Sequence, residues 1–190
     1  CFNSTFLTSE ASLAMIKEHD IKTNKMRYFI INLYLFFLIY VIDAKLKNVY
    51  QLDAVENSID QLQKIKKKSF SNNVRIHETD IFDFLSKTKE STYDLIYLID
   101  VLEHFDLNDS FKLINEIHRV LVRDGKFICR VPNMISPFSS IFSFGDITHL
   151  SFFSPNSLSQ LILSKSFNRI RIEPDPIVSS SFPIGFIRFL

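Results

Sequence analysis

The chain has 190 residues, 46% of them apolar and 23% charged, enough for one domain with a continuous core and too apolar for intrinsic disorder. Twenty-two basic against 21 acidic residues leave a net charge of +1, so no basic face for nucleic acid or a membrane surface is expected. Cys1 and Cys129 can build neither a disulfide framework nor a zinc spacing, and a reducing, cytoplasmic setting is expected.

Residues 1–27 are polar and mixed, with a short helix expected over 9–19, and read as an N-terminal extension. Tyr28–Ile42 is an apolar run broken only by Asn32. It falls short of the roughly 20 residues that cross a bilayer, and Ile42-Asp43-Ala44-Lys45 offers no small-residue cleavage site. Asn48–Asp53 reads as a short buried strand ending on a carboxylate. Val55, Ile59, Leu62 and Ile65 then repeat at helical spacing before the cations Lys64 and Lys66–Lys68. Val74–His77 is a second short strand, followed by Asp80 and a helical turn over Phe82–Leu85.

Tyr93–Asp100 is nearly all apolar, the pattern of a parallel strand buried on both faces. Asn108 or Asp109 can cap a helix in which Phe111, Ile114, Ile117 and Leu121 share a face. Asp124-Gly125 turns it into a strand over Lys126–Val131, which Pro132 ends. A polar and aromatic loop covers Asn133–Phe153, and Ser154-Pro155-Asn156 opens a helix through Leu158, Leu161 and Ile162. Phe167–Ile172 is expected to be the last strand, and 174–190 a C-terminal tail. The chain opens on Cys1 and stops in an apolar stretch, as expected of a fragment.

Strand and helix alternate at least four times with short connections. The expected fold class is α/β: a single domain over 28–173, with a mostly parallel open sheet and helices on both faces. Ligands in such folds bind beyond the carboxyl ends of the strands, where Asp53, Asp80 and Asp100 are expected to share one crevice.

Five short motifs in order then resemble a known family. They are the strand ending in Asp53, the strand before Asp80, Tyr93-Asp94-Leu-Ile with Val101-Leu-Glu-His104, Glu116–Leu121 with Asp124-Gly125 and Val131-Pro-Asn133, and Asp146-Ile-Thr-His149 with Phe153-Ser-Pro155. Together they are similar to class I S-adenosylmethionine-dependent methyltransferases, a Rossmann-like fold, and in particular to enzymes that O-methylate glycans and quinone precursors. The resemblance implies S-adenosylmethionine as cofactor and a small-molecule acceptor, with a hydroxyl as the methylated group. It assigns Asp53 to the ribose hydroxyls, Asp80 to the adenine amino group, Ile81 to packing at the base, and Asp100 and Val101 to the methionine end. In that register Tyr28–Ile42 is the first strand and first helix joined by an apolar loop.

The departure from the family lies in that loop. Average usage, roughly 7%, would give about 13 glycines in a chain this long, and there are three, Gly125, Gly145 and Gly185. Where the family has a glycine-rich turn, this chain has Ile31–Leu38, with Tyr34, Leu35 and Phe36 at the positions that should approach the cofactor. The alternative reading is a module that keeps the fold and has lost cofactor binding.

Asp100, Glu103 and His104 form a cluster after the fourth strand. It could hold a hard divalent ion such as Mg²⁺ against a substrate hydroxyl, or supply His104 as a general base, or simply be polar residues on the first turn. His149, in the loop with Asp146 and Thr148, is a second candidate on the substrate side, or a loop histidine held by Asp146. No Ser-His-Asp or Cys-His set, phosphate loop or zinc site is present.

Overall fold

A computed structural model describes residues 26–32, 49–67, 70–137, 139–140, 144–164, 167, 170–174 and 186–189. The helix expected over 9–19 and the glycine-free stretch after Asn32 lie outside the described residues. The strands are β1 (Met26–Asn32), β2 (Val49–Glu56), β3 (Val74–Glu78), β4 (Tyr93–Ile99), β5 (Leu121–Pro132), β6 (Ile172–Pro174) and β7 (Phe186–Phe189). They form one sheet in the order β3-β2-β1-β4-β5-β7-β6. β1 to β5 pair in parallel, and β7 runs antiparallel between β5 and β6. The mostly parallel α/β sheet is therefore present as expected.

β4 is the centre of the sheet, and its alternation makes the two cores. Leu95, Tyr97 and Ile99 pack on one face with Ile30, Leu52, Ala54 and Ile128. Ile96 and Leu98 pack on the other with Phe29, Val55 and the helices beyond. Both faces are covered, so the strand needs no polar side, and the near-continuous apolar run follows from that.

Helix α1 (Ile59–Lys66) buries Leu62 and Ile65, the latter in the core on the first of these faces, while Ile59 is 72% exposed. The helical spacing from Val55 thus ran across an element boundary, because Val55 belongs to β2. Helix α2 (Ile81–Lys87) and helix α3 (Leu107–Val120) lie on the opposite face and bury Ile81, Leu85, Leu113, Ile114, Ile117 and Val120. The cap of α3 is Asp106, whose side chain accepts from the Asp109 amide at 2.7 Å, rather than Asn108 or Asp109. Arg119, in the last turn of α3, donates to the Leu85 and Thr88 carbonyls and so closes the C-terminus of α2.

Leu121 follows α3 without a connecting loop, and β5 starts five residues earlier than the expected Lys126. The extra length is absorbed by a register shift opposite Tyr93 and Leu95, with Asp124 at φ 63°. Helix α4 (Pro155–Leu163) opens as expected, with the Ser154 hydroxyl accepting from the Ser157 amide and proline in the first turn. Of the strand expected over 167–172 only Ile172 lies in one, β6, with Phe167, Ile170 and Arg171 outside any strand, and the segment read as a tail carries the end of β6 and all of β7. Among the described residues no helix is long and apolar enough to cross a membrane.

Candidate active site

The parallel strands deliver their carboxyl ends to one rim, and a cavity of about 280 Å³ opens there. Glu56 enters it from the end of β2, Asp80 and Ile81 from the turn after β3, and Asp100, Val101 and His104 from the turn after β4. Five of the seven expected site residues, Asp80, Ile81, Asp100, Val101 and His104, line this cavity.

Asp53 does not close the second strand. β2 runs on through Ala54 and Val55 to Glu56, so Asp53 sits mid-strand and is 2% exposed. One carboxylate oxygen is in contact with His77 Nε2 at 2.7 Å, and the other accepts from the Tyr93 hydroxyl at 3.0 Å and from the Gln51 amide. The acidic residue at the strand's end is Glu56. Its Oε1 accepts from the Ser58 amide at 2.8 Å, and burial holds its carboxyl above the ordinary value against that bond and a second one from Asn57. Glu56 was missed by the sequence reading, and the apolar pair Ala54-Val55, which continues the strand past Asp53, is the signal that could have found it.

Asp80 is the cap of α2, its Oδ1 accepting from the Phe82 amide at 2.7 Å and the Asp83 amide at 3.4 Å. Ile81, 6% exposed, packs into the core below the cavity. Asp100 holds a left-handed backbone, φ 54°, at the point where β4 leaves the sheet. Its carboxylate pairs with the guanidinium of Arg130 on β5, through Nε at 2.9 Å and through Nη2. The Asp100 amide donates to the Arg130 carbonyl at 3.1 Å, so side chain and backbone both tie it to β5. Val101, half-buried, packs against the same core.

The turn Leu102–His104 then places Glu103 inward and His104 toward the cavity. Loop residues Leu150 and Ser151 donate their amides to the Glu103 carbonyl at 2.8 and 3.0 Å. That docking brings His149 edge-on to His104, ring centroids 4.8 Å apart. Burial, with the charge of Asp100 adding to it, pushes the Glu103 carboxyl well above the usual carboxylate range. Burial and the neighbouring His149 hold His104 below its ordinary value.

The protons on His104 can be assigned from its neighbours. Bonds from Thr148 hold Asp146 below its ordinary value, so it is ionised and only accepts. The Thr148 hydroxyl donates to Asp146 Oδ1 at 2.6 Å and must therefore accept from His104 Nδ1, 2.9 Å away. Nδ1 carries the proton, and Nε2 is left as a bare lone pair. Glu103 Oε2 and His104 Nε2 are buried with no hydrogen-bond partner. One ligand atom from each of Glu103, His104 and His149 lies within 4.8 Å of the others. The sequence had grouped Glu103 with His104 and Asp100, but Asp100 is committed to Arg130 and His149 takes its place.

Residues 36–129 match the methyltransferase-domain family. The fold is similar to that of an S-adenosylmethionine-dependent methyltransferase from Archaeoglobus fulgidus, with a TM-score of 0.75 and 14% identity over 96% of this chain and 93% of that one. It is also similar to an S-adenosylmethionine-dependent methyltransferase from Mesorhizobium loti, at TM-score 0.68 and 11% identity over 94% and 96% of the two chains. A third similar structure is phosphoethanolamine N-methyltransferase 2 of Haemonchus contortus in complex with S-adenosyl-L-methionine, at TM-score 0.69 and 16% identity over 87% of this chain and 38% of that one. No curated protein sequence matches the chain. At these identities the likeness to solved structures is one of fold.

Proposed function

We propose that the chain, whose residues 36–129 match the methyltransferase-domain family and whose fold is that of class I methyltransferases, transfers a methyl group from S-adenosylmethionine to the hydroxyl of a small-molecule acceptor. The observation that carries the reading is the rim itself, where three successive strands each bring an acidic residue, Glu56, Asp80 and Asp100, to one cavity. These residues fit an adenosyl cofactor. Glu56, ionised, accepts from two ribose hydroxyls, the task first assigned to Asp53. Asp80 accepts from the adenine amino group beside the apolar wall of Ile81. Asp100 and Val101 border the methionine end, Asp100 through its backbone because its carboxylate is held by Arg130.

When bound, the cofactor would supply an electrophilic sulfonium methyl group for transfer to the acceptor oxygen. The protein's part is to bring the acceptor oxygen into line at near-attack distance. His104 borders the cavity as a neutral imidazole; its Nε2 is bare but buried, so it would take up the hydroxyl proton through a small opening of the site, with His149 beside it on the acceptor side. The cytoplasmic setting and the absence of a nucleic-acid partner belong to the same proposal.

Calorimetric titration of S-adenosylmethionine into the folded chain tests it. Saturable binding that Glu56→Gln weakens supports the reading. No binding by a protein that circular dichroism shows to be folded overturns it, and leaves the module that keeps the fold without the cofactor.

A further inference from the structure

We propose that Glu103, His104 and His149 bind one divalent first-row transition ion, of the class of Zn²⁺, beside the cavity on the acceptor side. The proposal rests on the reading of the cavity as a methyl-transfer site only for what the ion would do, and the cluster itself stands on three observations. Its three candidate ligand atoms lie within 4.8 Å of one another. Bonds of about 2.1 Å to a tetrahedral ion put ligand atoms about 3.4 Å apart, so side-chain rotation has little distance to close. Second, Glu103 is 2% exposed, and its Oε2 is buried without a partner, as is His104 Nε2. A carboxyl oxygen and an imidazole lone pair, both withdrawn from water and both unsatisfied, are costly to keep unless something binds them.

Third, the outer shell is built. Asp146 accepts from Thr148, and Thr148 accepts from His104 Nδ1. That chain fixes the tautomer with Nε2 as the lone pair and holds the ring in place, as outer partners of metal-bound histidines do. Two imidazoles and one carboxylate suit a borderline ion, whereas Mg²⁺ and Ca²⁺ prefer oxygen alone. The Mg²⁺ set of Asp100, Glu103 and His104 is not available, because Arg130 occupies the Asp100 carboxylate. Three protein ligands leave one or two positions open, and His104 borders the cavity. An acceptor hydroxyl bound there loses its proton to water at a lowered pKa, and His104 then serves as ligand instead of base.

The test uses the untagged, chelator-stripped full chain. Zn²⁺ is titrated by calorimetry and Co²⁺ by visible absorption, with Mg²⁺ as the comparison. The expected result is one equivalent of Zn²⁺ per chain, the absorption of low-coordinate Co²⁺, and much weaker Mg²⁺ binding. Thr148→Val should weaken Zn²⁺ by roughly 10- to 100-fold, the range for an outer-shell partner, and Glu103→Gln and His149→Ala by more. Circular dichroism establishes that each variant is folded. Zn²⁺ binding that is absent, weaker than Mg²⁺ binding, or equal in wild type and the folded variants overturns the proposal. A parallel titration of S-adenosylmethionine in chelator separates the two readings. Cofactor binding without Zn²⁺ binding removes only the metal site, and Zn²⁺ binding without cofactor binding removes only the methyl transfer.

Discussion

Tyr93 of β4 donates its hydroxyl to Asp53 of β2 over 3.0 Å, reaching across β1, where Phe29 stacks on the Tyr93 ring at 5.1 Å. With His77 on the other carboxylate oxygen, this is a buried polar tie among three strands, and burial followed by the charge of Asp53 raises the Tyr93 hydroxyl far above its ordinary value. Asp53→Asn should therefore cost about 1–3 kcal/mol of unfolding free energy, the penalty for disrupting buried partners. Urea denaturation measures it, and cofactor affinity in the folded variant should be unchanged.

Glu56→Gln should give the opposite pair of results. Hydrogen bonds to a charged group contribute about 1.5–3 kcal/mol, so S-adenosylmethionine affinity should fall by roughly 10- to 100-fold while stability changes little. Calorimetry and denaturation on the same two variants separate a ribose ligand from a structural tie.

The raised carboxyl of Glu56 also sets a pH dependence. Protonated, it would present a donor where two hydroxyls need an acceptor, so affinity should drop as pH falls through its raised value, at a higher pH than an ordinary carboxylate would require. The stability term runs the other way. A carboxyl raised by folding contributes fully below its ordinary value near 4.5, and that contribution is lost as pH rises through the folded value. Cofactor titrations across this window should slope in wild type and be flat in Glu56→Gln.

Arg130 and Asp100 are both nearly enclosed, at 6% and 12% side-chain exposure. Arg130→Ala strands a buried carboxylate and should destabilise the protein by about 3–5 kcal/mol. The double variant Asp100→Asn with Arg130→Met should lose less, because no charge is left alone and asparagine tolerates the left-handed backbone at position 100. Thermal melts of the two variants give the comparison.

Gly125 is a packing glycine. A Cβ there would lie 2.8 Å from the Val122 carbonyl oxygen, and Gly125→Ala should cost on the order of 1–3 kcal/mol, seen as a lower Tm with cofactor binding retained.

Much of the architecture was legible because β4, α3 and α4 carry their own signals: an unbroken apolar run, an apolar face at helical spacing, and a Ser-Pro start. What local pattern could not supply was where β2 stops. An aspartate reads as a strand's end, but Asp53 stays inside because Tyr93 and His77, distant in sequence, satisfy it. The same limit applies to the acceptor side. Glu103 and His104 were visible as neighbours, whereas the approach of His149 depends on the loop folding back onto the Glu103 carbonyl. Asp100 reads as available in the sequence, and Arg130, thirty residues on, occupies its carboxylate.

The place of β7 bears on how the molecule is made. Its backbone pairs with Cys129–Pro132 of β5, between that strand and β6. A nascent chain therefore carries β5 out of the ribosome long before its second neighbour exists. Through that interval the amide edge beside Phe127, Ile128 and Val131 is a ready template for strands of other chains. Chaperone protection during synthesis should matter more for this protein than for a sheet whose strands are added in sequence order, and a chain halted before residue 186 should aggregate by that edge.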